Sequence, residues 1–218
     1  MRSRKETAWK KSRKFGDIMG GRKYNKWLNS TFDRFHNLEP LLEYDDTPVF
    51  IVDNPSRDFF FPVTKEDIQE QLKNLPDYQI KWLSYIWLKK QSQKEFDNEN
   101  SLQGCYIWGG GIQLITLYSF PNDLKMNFGK KRPKQSTLNW YKAFCSRLVE
   151  EKQNWYLQWT KEEIKNYYLN GLLLHEIGHH IDNQYKYSIA SITKAEKWAD
   201  NYALYWSNKI RENIEPIK

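Results

Sequence analysis

Two histidines stand four positions apart in the segment His175-Glu176-Ile177-Gly178-His179, which fits the pattern HExxH. Positions i and i+4 of a helix lie one above the other on the same face, so His175 and His179 can bind one zinc ion together. Glu176 precedes His179 by three residues and can lean over the open side of that ion to take a proton from water. Gly178 permits close approach of another element. The spacing therefore predicts a metal site with a general base beside it.

The alternative interpretation is a chance pair of core histidines beside a surface glutamate. Three of the four histidines in the chain cluster here, namely His175, His179 and His180. The preceding Gly-Leu-Leu-Leu at 171–174 predicts a buried stretch, where imidazole and carboxylate groups without partners would be costly. Both observations favour zinc binding over chance.

A catalytic zinc ion needs a third protein ligand and a water molecule. No histidine follows His180, so a carboxylate must serve. Glu196 follows His179 by 17 residues, which is enough for a turn and an antiparallel return of the chain. Asp200 lies one helical turn further on and can accept the N–H of a ligating histidine. Asp182 and Asp200 are alternative third ligands, and Glu196 is favoured because Asp182 follows too closely on the same helix.

Two predicted helices must position these groups. Thr160-Lys161-Glu162-Glu163 is a capping-box sequence that begins a helix from about Lys161 to Asn183. Thr193 could cap a last helix that runs to about Glu212. Glu196 would then be the N3 residue of that cap, a role that competes with metal binding.

The other patterns predict an α+β domain in which long helices pack on a small, mostly antiparallel sheet. Short apolar runs between turn residues indicate strands, and apolar residues at helical spacing indicate helices. We expect helices at 24–42, 64–75, 82–100 and 137–155, a strand at 49–52, a hairpin at 105–120 around three glycines, and a loop at 125–134.

The composition limits the class of protein. A chain of 218 residues with ten Trp, fourteen Tyr and eleven Phe can bury a full core. Cys105 and Cys145 form no CxxC pair, so we expect reduced thiols in a cytoplasmic protein. No apolar run approaches the roughly 18–20 residues that span a bilayer, and no secretory signal is recognisable, so we expect no membrane contact.

The positive charge is concentrated in a basic N-terminal arm at 1–26. The net charge is +7, whereas the arm carries ten Lys and Arg against two acids, so the domain at 27–218 carries −1. Such an arm can contact the phosphates of DNA or RNA, or it can be a solvated tail. The basic segment 125–134 is a second candidate, although a surface loop is favoured there. The candidate phosphate contacts of the arm are Arg2, Arg4, Lys5, Lys10, Lys11, Arg13 and Lys14.

Residues 175–179, followed by Glu196-Lys197-Trp198-Ala199-Asp200-Asn201-Tyr202-Ala203, resemble the zincin metallopeptidases whose third ligand is a glutamate (gluzincins), and look most like the ImmA/IrrE group. The resemblance covers about 175–203. It implies a zincin-like domain at 27–218 that acts as a cytoplasmic metalloprotease, a hydrolase of peptide bonds in an intracellular protein. It also implies one Zn²⁺ bound by His175, His179 and Glu196, with Glu176 as general base and Asp200 in support.

The resemblance leaves the substrate contacts and two other functions open. Zincins usually align an extended substrate on an edge strand, for which Ile112–Tyr118 is the candidate, although an ordinary core strand is an equally good interpretation of that segment. A donor for the oxyanion is also expected, and four tyrosines are near enough in sequence. The other functions are a nucleic-acid-associated protein that uses the basic arm, with a structural or inactive zinc site, and a binding module on an inactive zincin scaffold. The four tyrosines are Tyr185, Tyr187, Tyr202 and Tyr205.

Overall fold

The computed structural model describes residues 18–19, 38–42, 47–97, 102–145, 147–185 and 191–214. Most of the helix expected at 24–42 lies outside these residues, and its described end, 38–42, is not helical. None of the described helices combines the length and the apolar character needed to cross a bilayer. The candidate phosphate contacts Arg2, Arg4, Lys5, Lys10, Lys11, Arg13 and Lys14 also lie outside the described residues.

The described elements are short strands in several runs, separated by helices, and the two longest helices come last. The strands are β1 (Ile18–Met19), β2 (Val49–Val52), β3 (Phe59–Phe60), β4 (Tyr85–Lys89), β5 (Gly104–Gly109), β6 (Ile112–Tyr118), β7 (Phe120–Pro121), β8 (Lys125–Gly129), β9 (Leu148–Glu151) and β10 (Asn154–Gln158). The helices are α1 (Lys65–Lys73), α2 (Asp77–Ile80), α3 (Gln93–Phe96), α4 (Gln135–Tyr141), α5 (Lys161–Tyr167), α6 (Leu174–Tyr185) and α7 (Ile192–Ile214). A π-helical segment, Tyr168–Leu173, joins α5 to α6.

The largest sheet has five strands in the order β1-β2-β4-β6-β5, and it is mixed rather than mostly antiparallel. The first four strands are parallel to their neighbours, whereas β5 is antiparallel to β6. The prediction of a mostly antiparallel sheet is therefore wrong for this sheet. It is right for the two smaller sheets, β8-β10-β9 and β3-β7.

The prediction of a helix at 82–100 is also wrong, because the apolar part of this segment forms β4. All five residues of β4 are buried, since β4 lies inside the sheet with both faces covered. A parallel strand in that position has a continuous apolar run and no alternation, which a buried helical segment can share. The charged part of the segment contributes only the short helix α3.

The helix expected at 137–155 ends at Tyr141, and a hairpin of β9 and β10 follows it. Its turn residues Lys152 and Gln153 have φ values of 50° and 63°, the left-handed region that a tight hairpin requires. Asn-Gly or Asp-Gly would have indicated such a turn, whereas Lys-Gln does not. The loop expected at 125–134 is a strand in its first half, where β8 pairs with β10.

The helical run that carries the histidines begins and ends close to the prediction. The capping box is confirmed: Oγ1 of Thr160 accepts from the N–H of Glu163 at 3.1 Å, and Oε2 of Glu163 accepts from the N–H of Thr160 at 2.7 Å. The run continues through the π-helical segment to Tyr185. Buried residues of this run pack in one cluster with those of β4 and β6, and full burial of one such side chain contributes roughly 1.5–3 kcal/mol. The core therefore holds α6 against the sheet.

Candidate metal centre

Helices α6 and α7 come together at Gly178, as its predicted role requires. A Cβ at this position would stand 2.8 Å from Cα of Ala199 and 3.2 Å from Cβ of Tyr202. Glycine at this position therefore lets the two backbones approach more closely than any side chain would allow. The contact places Glu196 and Asp200, one on each side of Ala199 along α7, beside the histidines of α6.

The three predicted ligands form a compact triangle. The Nε2 atoms of His175 and His179 lie 3.1 Å apart. Oε2 of Glu196 lies 3.4 Å from Nε2 of His175, and its Oε1 lies 3.5 Å from Nε2 of His179. Ligand atoms about 2.0–2.1 Å from a tetrahedral zinc ion are roughly 3.3–3.4 Å from one another. The edges of the triangle therefore fit one zinc ion and leave the fourth vertex for water.

Asp200 lies where the second carboxylate was predicted. Its Oδ1 is 3.0 Å from Nδ1 of His175, the ring nitrogen that is not part of the triangle. Burial lowers the pKa of His175 and Asp200 raises it, and the pKa moves upward overall. The two atoms are at hydrogen-bond distance, although Nδ1 has no partner of hydrogen-bond geometry within the described part of the chain. A carboxylate that accepts the N–H of a ligating imidazole fixes its tautomer, so Asp200 would take this role once the contact is aligned. Among the described residues, the triangle does not include Asp182, which lines the neighbouring cleft.

The competing prediction, that Glu196 is a cap residue of the last helix, is wrong. Helix α7 begins at Ile192, and the N–H groups of Lys194 and Ala195 both donate to the carbonyl of Ser191 at 3.0 Å. Thr193 is therefore inside the helix, and Glu196 is not the N3 residue of a Thr193 cap. Its carboxylate reaches the two histidines instead.

Glu176 is buried against β5. Burial raises the pKa of Glu176 to about 7, and the backbone N–H of Tyr106 near its carboxylate partly opposes this rise. Oε1 of Glu176 lies 3.1 Å from the position that a Cβ of Gly104 would occupy. The missing side chain at Gly104 therefore gives the carboxylate room at the strand. A carboxyl group with a pKa near 7 can both accept and release a proton at neutral pH.

A cleft of about 470 Å³ lies between β5 and the beginning of α7. All three residues of the triangle line it, and so does Glu176. The opposite wall is formed by β5, from Gly104 to Trp108. The triangle is therefore open to a molecule of peptide size, with the buried carboxyl group at the same opening.

The five-stranded sheet ends in β1 and β5, so the choice of Ile112–Tyr118 as a substrate-aligning edge strand is wrong, and its alternative interpretation as an ordinary core strand is confirmed. That segment is β6, which lies between β4 and β5. No described strand pairs with the other side of β5. Whether a strand lies at an edge depends on the order of strands in the sheet. The residue types within Ile112–Tyr118 carry no information about that order.

Backbone groups of β5 alternate between the sheet and the open edge. The N–H of Tyr118 donates to the carbonyl of Gln103 at 2.8 Å, so Gln103 faces β6. Successive residues of an antiparallel strand point alternately toward and away from the partner. The backbone groups that face the open edge are therefore those of Gly104, Tyr106 and Trp108.

Trp140 is a site residue that the sequence did not reveal. Its ring meets the His175 ring edge to face, with centroids 5.8 Å apart and an interplanar angle of 71°. Its indole N–H donates to the hydroxyl of Tyr167. The His175 ring is thus contacted by Trp140 as well as by Asp200. Nothing distinguishes Trp140 from the other nine tryptophans in the sequence.

His180, the third clustered histidine, does not join the triangle. Its Nε2 lies 3.0 Å from the carbonyl oxygen of Lys81, and its ring packs edge to face on Tyr106 with centroids 5.7 Å apart. Burial lowers the pKa of His180 to about 4, so the ring is neutral at pH 7. Its role is structural.

None of the described tyrosines that are near enough in sequence to serve as the oxyanion donor lines the cleft. Tyr202 is buried and donates to Oε1 of Gln79 at 2.6 Å. Tyr185 and Tyr205 are exposed elsewhere, and Tyr187 lies outside the described residues.

Cys105 and Cys145 are free thiols, as expected. Burial raises the pKa of the Cys105 thiol to about 11, so it is neutral at pH 7. Cys105 also lines the cleft, but it does not belong to the triangle.

Known proteins add nothing to this geometry: no family model, no curated protein and no solved structure matches the chain. The chemistry of the site must therefore follow from its own residues. Two imidazoles and a carboxylate at zinc-ligand spacing, beside a buried carboxyl group and an open strand edge, define what the site can do.

Proposed function

We propose that this protein is a zinc-dependent metalloprotease with a zincin-like fold of the glutamate-ligand type. The observation that carries the proposal is the triangle of His175, His179 and Glu196, whose edges measure 3.1, 3.4 and 3.5 Å. The triangle lines the same cleft as the carboxyl group of Glu176. These three residues would hold the metal ion. When bound, zinc supplies a Lewis acid that acidifies water and polarises a carbonyl group.

Glu176 would act as the general base and then as the general acid. It takes a proton from the attacking water, whose oxygen bonds to the carbonyl carbon of the substrate. The C–N bond then breaks, and the leaving nitrogen receives the proton from Glu176. The backbone N–H of Tyr106 lies near the carboxyl group, and a pKa of about 7 suits both steps.

The edge of β5 would bind the substrate as an added strand. Backbone N–H and C=O groups at Gly104, Tyr106 and Trp108 face outward, except that the N–H of Tyr106 is used by Glu176. An extended peptide that pairs with this edge passes Glu176. This arrangement favours a protein or peptide substrate over a small molecule.

Elemental analysis and proteolysis assays on three proteins test the proposal: wild type, His175→Ala and Glu176→Gln. We expect one zinc per chain in wild type and in Glu176→Gln, and loss of zinc in His175→Ala. Hydrolysis of a labelled, unfolded protein should fall by about 10²–10⁴-fold in Glu176→Gln, the usual contribution of a general base. Wild-type protein without stoichiometric zinc, or Glu176→Gln at wild-type rate, contradicts the proposal.

A further inference from the structure

Large apolar side chains are exposed around the cleft. Leu102, Trp108 and Ile192 all line it, with exposed fractions of 57%, 63% and 84%. None of the three belongs to a core cluster of the described residues. Among the described residues that line the cleft, none is Lys or Arg. Large exposed apolar side chains that line one cleft, rather than lying scattered over the surface, are typical of a binding site.

Two of these side chains lie on either side of the general base along the strand wall. Leu102 precedes β5 by two residues, and Trp108 is its penultimate residue. Six residues of fully extended chain span roughly 20 Å, which is an upper limit here because Gln103 forms a bend before β5. Glu176 contacts the strand between these two points, at Gly104 and Tyr106. When a substrate bond is cleaved beside Glu176, Leu102 therefore lies on one side of that bond along the edge of β5, and Trp108 lies on the other side.

We propose that the cleft selects an extended peptide segment with a large apolar side chain on each side of the bond that is cleaved. One side chain of the substrate packs at Leu102 and the other at Trp108, and Ile192 borders the cleft from α7. This proposal rests on the proposed protease function, because it uses Glu176 to place the bond.

The distance along β5 sets the spacing of the two substrate side chains. A peptide added to the edge rises by about 3.3 Å per residue, as β5 does. Its apolar residues should therefore stand about six positions apart, with the cleaved bond between them. A segment of three or four residues cannot reach both Leu102 and Trp108.

The test is a digest of a peptide library derived from a whole proteome, with cleavage sites identified by mass spectrometry. We expect large apolar residues to be enriched at two positions, one on each side of the cleaved bond and about six residues apart. Trp108→Ala should remove the enrichment on one side and Leu102→Ser on the other. Efficiency toward a peptide with both residues should fall about tenfold in each variant, mainly through KM.

Matched controls are available on the same molecule. Leu204 and Trp82 have exposed fractions of 58% and 64%, close to those of Leu102 and Trp108, and neither lines the cleft. Leu204→Ser and Trp82→Ala should leave both the enrichment and KM unchanged. An equal effect of the control variants contradicts the proposal.

Binding of labelled peptides to Glu176→Gln separates this proposal from the protease function. We expect a peptide with both apolar residues to bind at least tenfold more tightly than its double-Ser version. Cleavage of the library without apolar enrichment overturns the proposal and leaves the protease standing. A library left uncleaved, with preferential binding of the apolar peptide, overturns the protease and supports apolar recognition. A library left uncleaved, without that preference, overturns both.

Discussion

The cleft has two walls that are built in different ways. The helical wall presents ionisable side chains that contact their neighbours, as His175 contacts Asp200 and Trp140. The strand wall presents backbone groups of an open edge together with exposed apolar side chains such as Trp108. Prearranged ligands and a buried carboxyl group suit bond breaking, whereas an edge with apolar side chains suits recognition. In the proposed function, α6 and α7 carry the chemistry and β5 selects the substrate.

The largest effect should come from removing the carboxylate of the triangle. A catalytic zinc ion needs three protein ligands, and Glu196→Ala leaves only the two imidazoles. We expect loss of stoichiometric zinc and of measurable hydrolysis, checked by elemental analysis and a protease assay. Glu212 lies exposed on the same helix, so Glu212→Ala should retain both. Zinc retained at full occupancy in Glu196→Ala would show that Glu196 is not a ligand of the metal ion.

Asp200→Ala should have the next largest effect. Without the carboxylate 3.0 Å from Nδ1, the tautomer and orientation of the His175 ring are no longer fixed. We expect zinc affinity to fall by about 10–100-fold in a competition titration with a chromophoric chelator. Asp200→Asn should lose less, because its amide oxygen can still accept the N–H. Unchanged affinity in Asp200→Ala would mean that the contact does not hold the ring.

Gly104→Ala tests whether the strand wall can disturb catalysis without disturbing the metal. Its added methyl would meet the carboxylate of Glu176 at about 3.1 Å and Leu172 at about 3.0 Å, so both must shift by a few tenths of an ångström. We expect kcat to fall about tenfold, since small misplacements of a catalytic group are costly. Zinc affinity should not change. A parallel loss of zinc would mean that the two walls are not separate in function.

Trp140→Ala should have the smallest effect. An edge-to-face ring contact contributes about 0.5–1.5 kcal/mol, so we expect zinc affinity to fall by roughly two- to tenfold. Trp140→Phe preserves a ring beside His175 but loses the hydrogen bond to Tyr167. The same titration should therefore show near wild-type affinity for Trp140→Phe. Equal losses in both variants would assign the effect to the hydrogen bond instead.

The helical wall was largely predictable because its determinants are local. A spacing of four residues places His175 and His179 on one face whatever the rest of the chain does. The capping box at Thr160 specified where the run begins. Glu196 required one further assumption, that α7 returns beside α6. Gly178 and Ala199 make that return possible, and glycine at 178 was a visible signal.

The strand wall was less predictable because strand order depends on pairings between distant segments. The apolar run of β4 suits a buried helix as well as an internal parallel strand. The hairpin at 105–120 was predicted, yet nothing in it indicates whether β5 or β6 lies at the edge.

Two features outside the strand wall were unpredictable as well. The turn between β9 and β10, at Lys152 and Gln153, has no residue that is typical of a turn. The contact of Trp140 with His175 arises only from tertiary packing.

X-ray absorption at the zinc K-edge of the purified, zinc-loaded protein tests the central claim most directly. We predict two imidazole ligands and oxygen ligands at about 2.0–2.2 Å, as His175, His179 and Glu196 with water would provide. Cys105 also lines the cleft, and a zinc–sulfur distance of about 2.3 Å would reveal a different ligand set. A sulfur shell, a single imidazole or the absence of bound zinc would contradict the proposed centre.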